Sequence, residues 1–387
     1  MPNLIHLYEE HGQSPWLDDL ARPALQDGTL AGLIARGVRG VTANPTIVAT
    51  AIESSDAYDR QFSGLLSSGR TVESAYWDLV VTDVVEALEL LRPTFDASEG
   101  ADGFVSIEVA PAHAHDADAT MRAARGLHDR IGAPNLLVKI PATSAGVAAT
   151  EAMIAEGRSV NVTLIFSLAR YRQVLEAYLT GLEKLADRGR DLSTVHSVAS
   201  FFVSRVDTAV DRRLEEMGTD EALALRGRAA IAQAKLAYQL FAEAHAGARW
   251  ERLADLGARV QRPLWASTST KDPRYADTLY VDGLIGPDTV NTLPVGTLEA
   301  FEDHGTLSRR IDVGVAAAEE VMRALESVGV DMDDVGRALE RQGIAGFQAS
   351  VAHVLGTLGA APESPADAPE HGRGTARRGR RRAVEVD

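Results

Sequence analysis

The sequence contains no cysteine among its 387 residues. This absence excludes disulfide bonds, thiolate nucleophiles and cysteine-ligated metal sites, and it suits a protein of a reducing compartment. The chain also lacks any run of about 18 apolar residues, the length that a membrane-spanning helix needs. Its first residues, MPNLIHLYEEHGQSPW, have no basic segment followed by an apolar core, as a secretory signal would have. We therefore expect a cytoplasmic protein with no membrane association.

Lysine is nearly missing as well. The 39 basic residues include only four lysines, at positions 139, 184, 235 and 271, so arginine supplies the other 35. Because arginine does not lose its proton in proteins, a lysine is needed wherever chemistry requires an uncharged amine. Lys139, within the apolar segment NLLVKIPAT, is the lysine whose surroundings favour that use.

Excess positive charge is also absent, since the formal net charge is −16. Nucleic acids are bound by surfaces rich in Lys and Arg, so the charge argues against a nucleic-acid-binding protein. Small anions can still bind where cations gather locally. The sequence has no GxxxxGK[ST] loop and no GxGxxG after a strand, which argues against a nucleotide-dependent enzyme.

Short apolar runs rich in β-branched residues alternate with longer amphipathic stretches along the chain. This alternation is typical of a parallel sheet covered by helices. Because eight such runs are present, we predict an α/β fold, a closed (β/α)8 TIM barrel with extra helices, in one domain over residues 1–360. The predicted strands are Pro15–Asp18, Gly40–Ala43, Phe104–Val109, Leu136–Ile140, Asn161–Phe166, Val195–Phe202, Leu264–Ala266 and Thr289–Leu293.

The amphipathic stretches predict four long helices, over Val72–Leu91, Asp116–Ile131, Leu168–Ala186 and Asp220–Ala246. We expect the segment 205–262 to consist of helices that cover the barrel or form an interface. From Ala361 onward the sequence is rich in Pro, Gly and charge, with few large apolar residues, which predicts a flexible tail over residues 361–387. Its cluster Arg377–Arg382 is interpreted as a solvated charge run.

Lys139 occupies a predicted strand and is flanked by aliphatic residues. Burial disfavours the charged ammonium form of a lysine, so this amine is a candidate nucleophile. Catalytic groups in such barrels gather at the C-terminal ends of the strands, and Lys139 lies near such an end. The alternative is a lysine at a strand end whose amine reaches solvent along its aliphatic stem.

Other polar residues fall at or near the same ends of the predicted strands. Each alone has a structural explanation, for example Asp18 or Asp19 as a helix cap, Asn44 as a turn residue or Arg205 as a surface ion pair. Together they predict a polar site at one end of the barrel. In chain order they are Asp18, Asn44, Glu108, Asn161, Thr163, Ser200 and Arg205.

The segments GVTANPTIV, FVSIEVA, LLVKIPAT, NVTLIFS and VASFFVSRVD occur in this order, and the chain resembles the transaldolase family in its longer actinobacterial form. The resemblance runs from about residue 5 to residue 358. It implies a class I aldolase-type barrel without metal or cofactor, acting on sugar phosphates in the pentose phosphate pathway. Such an enzyme moves a dihydroxyacetone unit from sedoheptulose 7-phosphate or fructose 6-phosphate to glyceraldehyde 3-phosphate or erythrose 4-phosphate.

The resemblance also implies roles for individual residues. Lys139 would form the Schiff base, and Asp18 would be the acid/base that acts on the substrate C4 hydroxyl. Glu108 and Thr163 would hold the water that relays protons while the carbinolamine forms and breaks. The remaining residues would bind the substrate. The dihydroxyacetone portion would be oriented by Asn44, Asn161 and Ser200, and the phosphate would be bound by Arg205.

The chain departs from the family pattern after the seventh strand. Many members have an arginine there, whereas this chain reads WASTSTKD, which leaves Ser267 and Lys271 as candidate phosphate ligands. Phe202 shares the direction of Ser200 by strand alternation, and its ring has no donor to position water. The resemblance implies that family members acting as hydrolytic aldolases have a phenol in the site and a Gln in place of Glu108. Phe202 and Glu108 of this chain therefore both favour transfer over hydrolysis. The alternative for Phe202 is barrel core.

Three other functions stay open at this point. Within the aldolase class, the chain could be a fructose 6-phosphate aldolase that releases free dihydroxyacetone. His113 and His115 have the H-x-H spacing that puts two imidazoles on one side of a strand, as in a metal-dependent barrel hydrolase. The other expected ligands are missing, because the fifth strand has no histidine and His196 begins the sixth strand at the wrong end. A non-catalytic barrel scaffold is the third, because fold alone does not prove function. Monomer and homodimer both remain possible.

Overall fold

The computed structural model describes residues 3–360, in which eight parallel strands form a closed barrel. Neighbouring strands follow chain order, and the last pairs with the first, which closes the barrel. The predicted (β/α)8 barrel is therefore confirmed, with strand ends shifted by a few residues. The strands are β1 (Gln13–Leu17), β2 (Gly40–Thr42), β3 (Phe104–Glu108), β4 (Leu136–Pro141), β5 (Val160–Ile165), β6 (Ser197–Phe202), β7 (Arg262–Ala266) and β8 (Thr289–Leu293).

Helices surround the barrel and fill the connections between its strands. Two 3-10 turns, Asp56–Tyr58 and Pro111–His113, accompany them. The α-helices of the described residues are α1 (Asn3–Glu9), α2 (Arg22–Gln26), α3 (Thr29–Ala35), α4 (Pro45–Ser54), α5 (Asp59–Ser67), α6 (Val72–Ala97), α7 (Ala117–Ile131), α8 (Ser144–Ala155), α9 (Leu168–Asp187), α10 (Ser204–Met217), α11 (Asp220–Leu223), α12 (Ala229–Ala244), α13 (Gly247–Asp255), α14 (Leu279–Asp282), α15 (Val295–His304), α16 (Val315–Ser327) and α17 (Met332–Ala360).

Side-chain caps explain where several helices begin after a strand. Asp116 accepts from the backbone N–H of Ala119 before α7, and Ser167 accepts from that of Arg170 before α9. Such caps satisfy backbone donors that have no partner within the helix. The helices predicted over 116–131 and 168–186 are confirmed. The one predicted over Val72–Leu91 is longer, because α6 continues through Pro93 to Ala97.

The single helix predicted over Asp220–Ala246 is wrong. The chain forms α11 and α12 instead, separated by residues 224–228. Gly227 has a φ of 68° and donates its N–H to Asp211 Oδ1 at 2.9 Å. A Cβ at this glycine would lie 2.7 Å from the ring of Tyr275. The left-handed turn and this close packing interrupt a stretch whose composition alone favours one helix.

The strands are buried along nearly their whole length, and the largest fully buried side chains include Trp16 and Trp265. The β5 strand is irregular, since its register to β6 shifts between Val162 and Ile165 and Leu164 has a φ of 59°. A bulge of this kind re-aims side chains near an active site. The side chains of this strand therefore do not alternate regularly beyond its middle.

The long C-terminal helix α17 was not predicted. It packs against β5, α4 and α6, and its buried face includes Leu339, Gly343 and Phe347. Gly343 permits close approach, because a Cβ there would lie 2.9 Å from Leu164 Cδ2. The helix thus brings Phe347 over the C-terminal end of the barrel.

None of the helices within residues 3–360 combines the length and apolarity needed to cross a bilayer. The predicted tail over residues 361–387 lies outside the described residues, and so does the cluster Arg377–Arg382. The division of the chain into a barrel domain and a tail therefore stays a prediction.

Candidate active site

A cavity of about 150 Å³ opens at the C-terminal end of the barrel. The structure brings nine of the eleven residues selected from the sequence to its wall, and the other two, Glu108 and Asn161, contact residues of that wall. Six residues not selected also line it, and four of the six are polar or aromatic. The nine are Asp18, Asn44, Lys139, Thr163, Ser200, Phe202, Arg205, Ser267 and Lys271, and the six are Thr42, Ala266, Ser269, Thr292, Pro294 and Phe347.

Lys139 lies at the base of this cavity, and only 4% of its surface is exposed. Its Nζ donates to the carbonyl oxygen of Ala43 at 3.1 Å and lies 3.4 Å from Glu108 Oε2. The alternative considered from the sequence was a lysine whose amine reaches solvent along its aliphatic stem. The buried position of Lys139 does not agree with it. The amine is held inside the barrel and faces the cavity.

Glu108 and Thr163 flank Lys139 on the two neighbouring strands, β3 and β5. The two carboxylate oxygens of Glu108 and the hydroxyl of Thr163 are buried. None of these three atoms has a hydrogen-bond partner within the described residues. Burial raises the pKa of Glu108, while Lys139 opposes that rise. Buried polar groups normally find partners, so these two side chains are placed to hold a water molecule or a substrate oxygen.

Asp18 follows β1 and faces Lys139 from the other side of the cavity. Thr42 donates its hydroxyl to Asp18 Oδ1 at 2.8 Å and lies 2.6 Å from the hydroxyl oxygen of Thr292. Burial raises the pKa of Asp18, and the nearby cations Lys139, Arg205 and Lys271 together with the Thr42 hydroxyl oppose the rise. A carboxyl group balanced in this way can serve as base and acid in turn.

Asn161 and Ser200 form a hydrogen-bonded pair under the cavity. Ser200 donates to Asn161 Oδ1 at 2.7 Å, and the Asn161 amide donates to Ser106 Oγ at 3.1 Å. Both residues are buried. The two bonds fix the orientation of the Asn161 amide beside Lys139, its partner in the β4–β5 register.

Asn44 caps helix α4. Its Oδ1 accepts from the backbone N–H of Thr46 at 3.0 Å and of Ile47 at 3.1 Å, and Pro45 occupies the first helical position. Asn44 therefore has a structural role, as a helix cap and not as the turn residue considered from the sequence. Because the cap uses only the carbonyl oxygen, the amide nitrogen is left as a donor at the cavity wall.

Phe202 and Arg205 stand at the mouth of the cavity. The Phe202 ring packs on Phe166 with centroids 5.0 Å apart, and the Arg205 guanidinium lies 5.4 Å from the centre of the Phe202 ring. Phe202 is buried, whereas Arg205 is exposed and has no carboxylate partner within residues 3–360. The surface ion pair considered for Arg205 is therefore not formed among the described residues.

Ser267 and Lys271 lie on the loop after β7, next to Arg205. Ser267 has a φ of 55°, and its hydroxyl oxygen lies 2.9 Å from that of Ser204. Lys271 is exposed and acts electrostatically on Asp18. The mouth of the cavity therefore carries two exposed cations, as an anionic substrate group requires.

The four polar or aromatic residues among these six, which are Thr42, Ser269, Thr292 and Phe347, have little signal of their own in the sequence. Thr42 belongs to the quoted segment GVTANPT, two residues before Asn44, so alternation along β2 could have identified it. Thr292 and Ser269 are ordinary strand and loop residues by sequence. Phe347 lies far along the chain, at helical spacing from Leu339 and Ile344, and only the packing of α17 reveals it.

The remaining lysines occupy unrelated places. Lys184 pairs with Glu151 on the exposed surface, and Lys235 donates to the carbonyl oxygen of Val313. His113 and His115 do not lie on a strand, since His113 ends a 3-10 turn and His115 lies in the hydrogen-bonded turn after it. Within residues 3–360 no three His, Asp or Glu side chains are grouped as metal ligands.

Comparison with known proteins gives one consistent result. The sequence model of the family Transaldolase/Fructose-6-phosphate aldolase matches residues 15–358. The chain is 51% identical to a transaldolase of Mycolicibacterium smegmatis, with 92% of this chain and 96% of the relative covered. It is 52% identical to a transaldolase of Thermobifida fusca, with 92% and 97% covered, and 50% identical to transaldolase 1 of Streptomyces avermitilis, with 91% and 94% covered. The resemblance stated from the motifs is confirmed, and the chain belongs to the transaldolase/fructose-6-phosphate aldolase family.

Proposed function

We propose that this chain is a transaldolase that acts through a Schiff base on Lys139. It transfers a dihydroxyacetone unit from sedoheptulose 7-phosphate or fructose 6-phosphate to glyceraldehyde 3-phosphate or erythrose 4-phosphate, in the non-oxidative pentose phosphate pathway. The observation that carries the proposal is the buried Lys139 amine, 3.4 Å from Glu108, in a cavity that also contains Asp18.

The reaction begins when the uncharged Lys139 amine adds to the C2 carbonyl of the ketose. The resulting carbinolamine loses water and becomes a protonated imine, which replaces the carbonyl oxygen by nitrogen. Glu108 and Thr163 hold the departing water and move its protons, because they are adjacent to Lys139 and have no other partner within the described residues. Asn44, Asn161 and Ser200 orient the dihydroxyacetone portion.

Cleavage of the C3–C4 bond then needs a base and an electron acceptor. The Asp18 carboxylate takes the proton of the C4 hydroxyl, the C4 oxygen becomes an aldehyde oxygen, and the C3–C4 electron pair moves into the imine to give an enamine. The aldose leaves. In the second half, enamine C3 attacks the acceptor aldehyde, Asp18 returns its proton to the new C4 oxygen, and water releases the product from Lys139.

The phosphate of donor and acceptor binds at the exposed mouth, beside Arg205, with Lys271 and Ser267 as further ligands. A guanidinium binds phosphate oxygens in pairs, which fixes the distance from the phosphate to the reacting carbons. The cavity volume of about 150 Å³ suits the three-carbon unit. It is smaller than the roughly 300–1,000 Å³ of sites that enclose larger ligands, so the rest of the sugar extends toward the mouth.

Transfer and release of free dihydroxyacetone differ in the fate of the enamine. Transfer requires that the enamine persist until an acceptor arrives, without protonation at carbon. The phenyl ring of Phe202 at the wall contributes no proton donor, which supports transfer.

Cytoplasmic location is proposed on the absence of cysteine.

A coupled assay tests the function. Purified protein is incubated with fructose 6-phosphate, with and without erythrose 4-phosphate, and both sedoheptulose 7-phosphate and free dihydroxyacetone are quantified. We expect heptulose phosphate as the main product when the acceptor is present. If free dihydroxyacetone predominates under both conditions, the protein is an aldolase of this family, and if neither product forms, the barrel is not this enzyme.

A further inference from the structure

A second cavity lies at the opposite, N-terminal end of the barrel. Its volume is about 450 Å³, larger than that of the candidate active site. Its walls come from residues that precede or begin strands, for example Gly12 before β1, His196 before β6 and Arg262 at the start of β7. The proposed reaction uses none of these residues.

His196 is a polar side chain of this cavity's wall. It is 92% buried, since its relative exposure is 8%, and its ring packs on Phe95 and Phe104 with centroid distances of 5.7 and 5.0 Å. Neither ring nitrogen has a hydrogen-bond partner within residues 3–360. Burial, reinforced by Arg259 and Arg262, lowers the pKa of His196 to about 4. The ring is therefore a neutral imidazole with one N–H donor to offer.

Two guanidinium groups face the same cavity and are only partly used by the protein. Arg259 donates through Nε to the carbonyl oxygen of Ser193 and through Nη2 to that of Glu99. Arg262 donates through Nη1 to Ser14 Oγ at 2.8 Å, while its Nη2 is buried without a hydrogen-bond partner within the described residues. Donor capacity therefore remains on both side chains.

The acidic groups nearby neutralise this pair of arginines only in part, because Arg262 shares the buried Asp102 with Arg39 and Arg259 has no carboxylate partner within residues 3–360. Asp102 is already bound by Ser14, Trp16 and Arg39, and its Oδ1 lies 3.6 Å from Arg262 Nη2. Glu9 and Asp288 belong to the wall but are exposed. The charges that act on the His196 ring are both cationic. In a protein of net charge −16, such a concentration of donors favours an anion.

We propose that the N-terminal cavity binds a small phosphate-bearing anion, held by Arg259, Arg262 and His196. Guanidinium groups bind phosphate oxygens through paired, charge-assisted hydrogen bonds. The cavity has room for more than the phosphate itself, and Phe104, Val198 and Val260 supply an apolar wall for a short carbon chain. The ligand class is therefore a phosphate monoester, with inorganic phosphate sharing the same chemistry.

Calorimetric titration of the full chain tests this site, with inorganic phosphate and glycerol 3-phosphate as probes. The Arg205→Ala/Lys271→Ala double variant is used as background, so that both cations proposed to bind phosphate at the active site are absent. In that background we expect one remaining site for at least one probe. His196→Phe, which keeps the aromatic packing, should weaken it about tenfold, as loss of a hydrogen bond to a charged group does. Tighter binding of glycerol 3-phosphate identifies an ester site, and tighter binding of phosphate an inorganic one.

Two further variants complete the design. Arg259→Gln should weaken binding more than tenfold, and its circular dichroism shows whether the loop still folds without the two backbone contacts. Arg190→Gln is the matched control, because Arg190 is an exposed arginine on a separate groove near His128, and it should change nothing. Absence of any binding in the Arg205→Ala/Lys271→Ala background, or unchanged binding after His196→Phe, overturns the proposal.

Discussion

Gly146 couples the helix after β4 to the strand that carries Lys139. It lies in the first turn of α8, and a Cβ there would be 1.8 Å from the carbonyl oxygen of Pro141 and 3.3 Å from Ile140 Cγ2. Pro141 ends β4, two residues after Lys139. Gly146→Ala therefore forces α8 and the end of β4 apart, because a backbone oxygen cannot move away as a flexible side chain can.

Two opposing effects set the magnitude. Replacing glycine by alanine within a helix stabilises it by about 1 kcal/mol, whereas overpacking a core typically costs roughly 1–3 kcal/mol and more where backbone must shift. The overlap at 1.8 Å places the overpacking cost near the upper end of that range, at roughly 3 kcal/mol. After the gain of about 1 kcal/mol from helix propensity, we expect Gly146→Ala to lower the free energy of unfolding by about 2 kcal/mol. Displacement of Lys139 by a fraction of an ångström should also reduce kcat by about tenfold or more.

Gly126→Ala is the matched control, since Gly126 lies within α7 and a Cβ there meets nothing within 4 Å. It should raise the free energy of unfolding by up to about 1 kcal/mol and leave kcat unchanged. Urea unfolding followed by circular dichroism gives the stabilities, and the coupled transfer assay gives kcat. If both variants gain stability equally and retain full activity, the inferred coupling between α8 and β4 is refuted.

Three further changes probe the proposed roles. Asp18→Ala should block carbon–carbon cleavage while the imine still forms, so borohydride should trap more covalent substrate than in the native protein; full activity of Asp18→Ala beside an inactive Asp19→Ala would move the role to the neighbour. Arg205→Ala should raise KM for fructose 6-phosphate by about tenfold or more, as loss of a charge-assisted pair does, with little effect on binding of unphosphorylated dihydroxyacetone; equal weakening of both ligands would make Arg205 a structural residue. Phe202→Tyr should increase the ratio of free dihydroxyacetone to heptulose phosphate in the coupled assay, because it adds a hydroxyl beside the enamine; an unchanged ratio in a folded, active variant would remove Phe202 from the partition.

The barrel and most residues of the candidate site could be predicted because their signals are local. Each strand is a short apolar run, and the polar residues selected from the sequence stand at or near strand ends, where parallel strands bring them together. Lys139 was the clearest of these, as a rare lysine in an aliphatic strand. Asn44 shows that two explanations can both hold, since its carbonyl oxygen caps a helix while its amide remains at the cavity.

The missed features depend on contacts between distant segments. Helix α17 places Phe347 at the site through the approach of Gly343 to Leu164, and no local pattern encodes that contact. The break between α11 and α12 arises from Gly227 packing on Tyr275, a residue 48 positions later in the chain. The cavity at the N-terminal end is likewise lined by residues from distant segments between Tyr8 and Asp288, so His196 alone gave no indication of it.

The identity of the nucleophile is the central claim, and covalent trapping tests it most directly. The native protein is incubated with fructose 6-phosphate and borohydride, digested, and the modified peptide is located by mass spectrometry. We predict a single reduced adduct on Lys139, and none in Lys139→Arg, which keeps the charge but has no amine able to lose its proton. An adduct on Lys184, Lys235 or Lys271, or undiminished transfer by Lys139→Arg, would contradict the account.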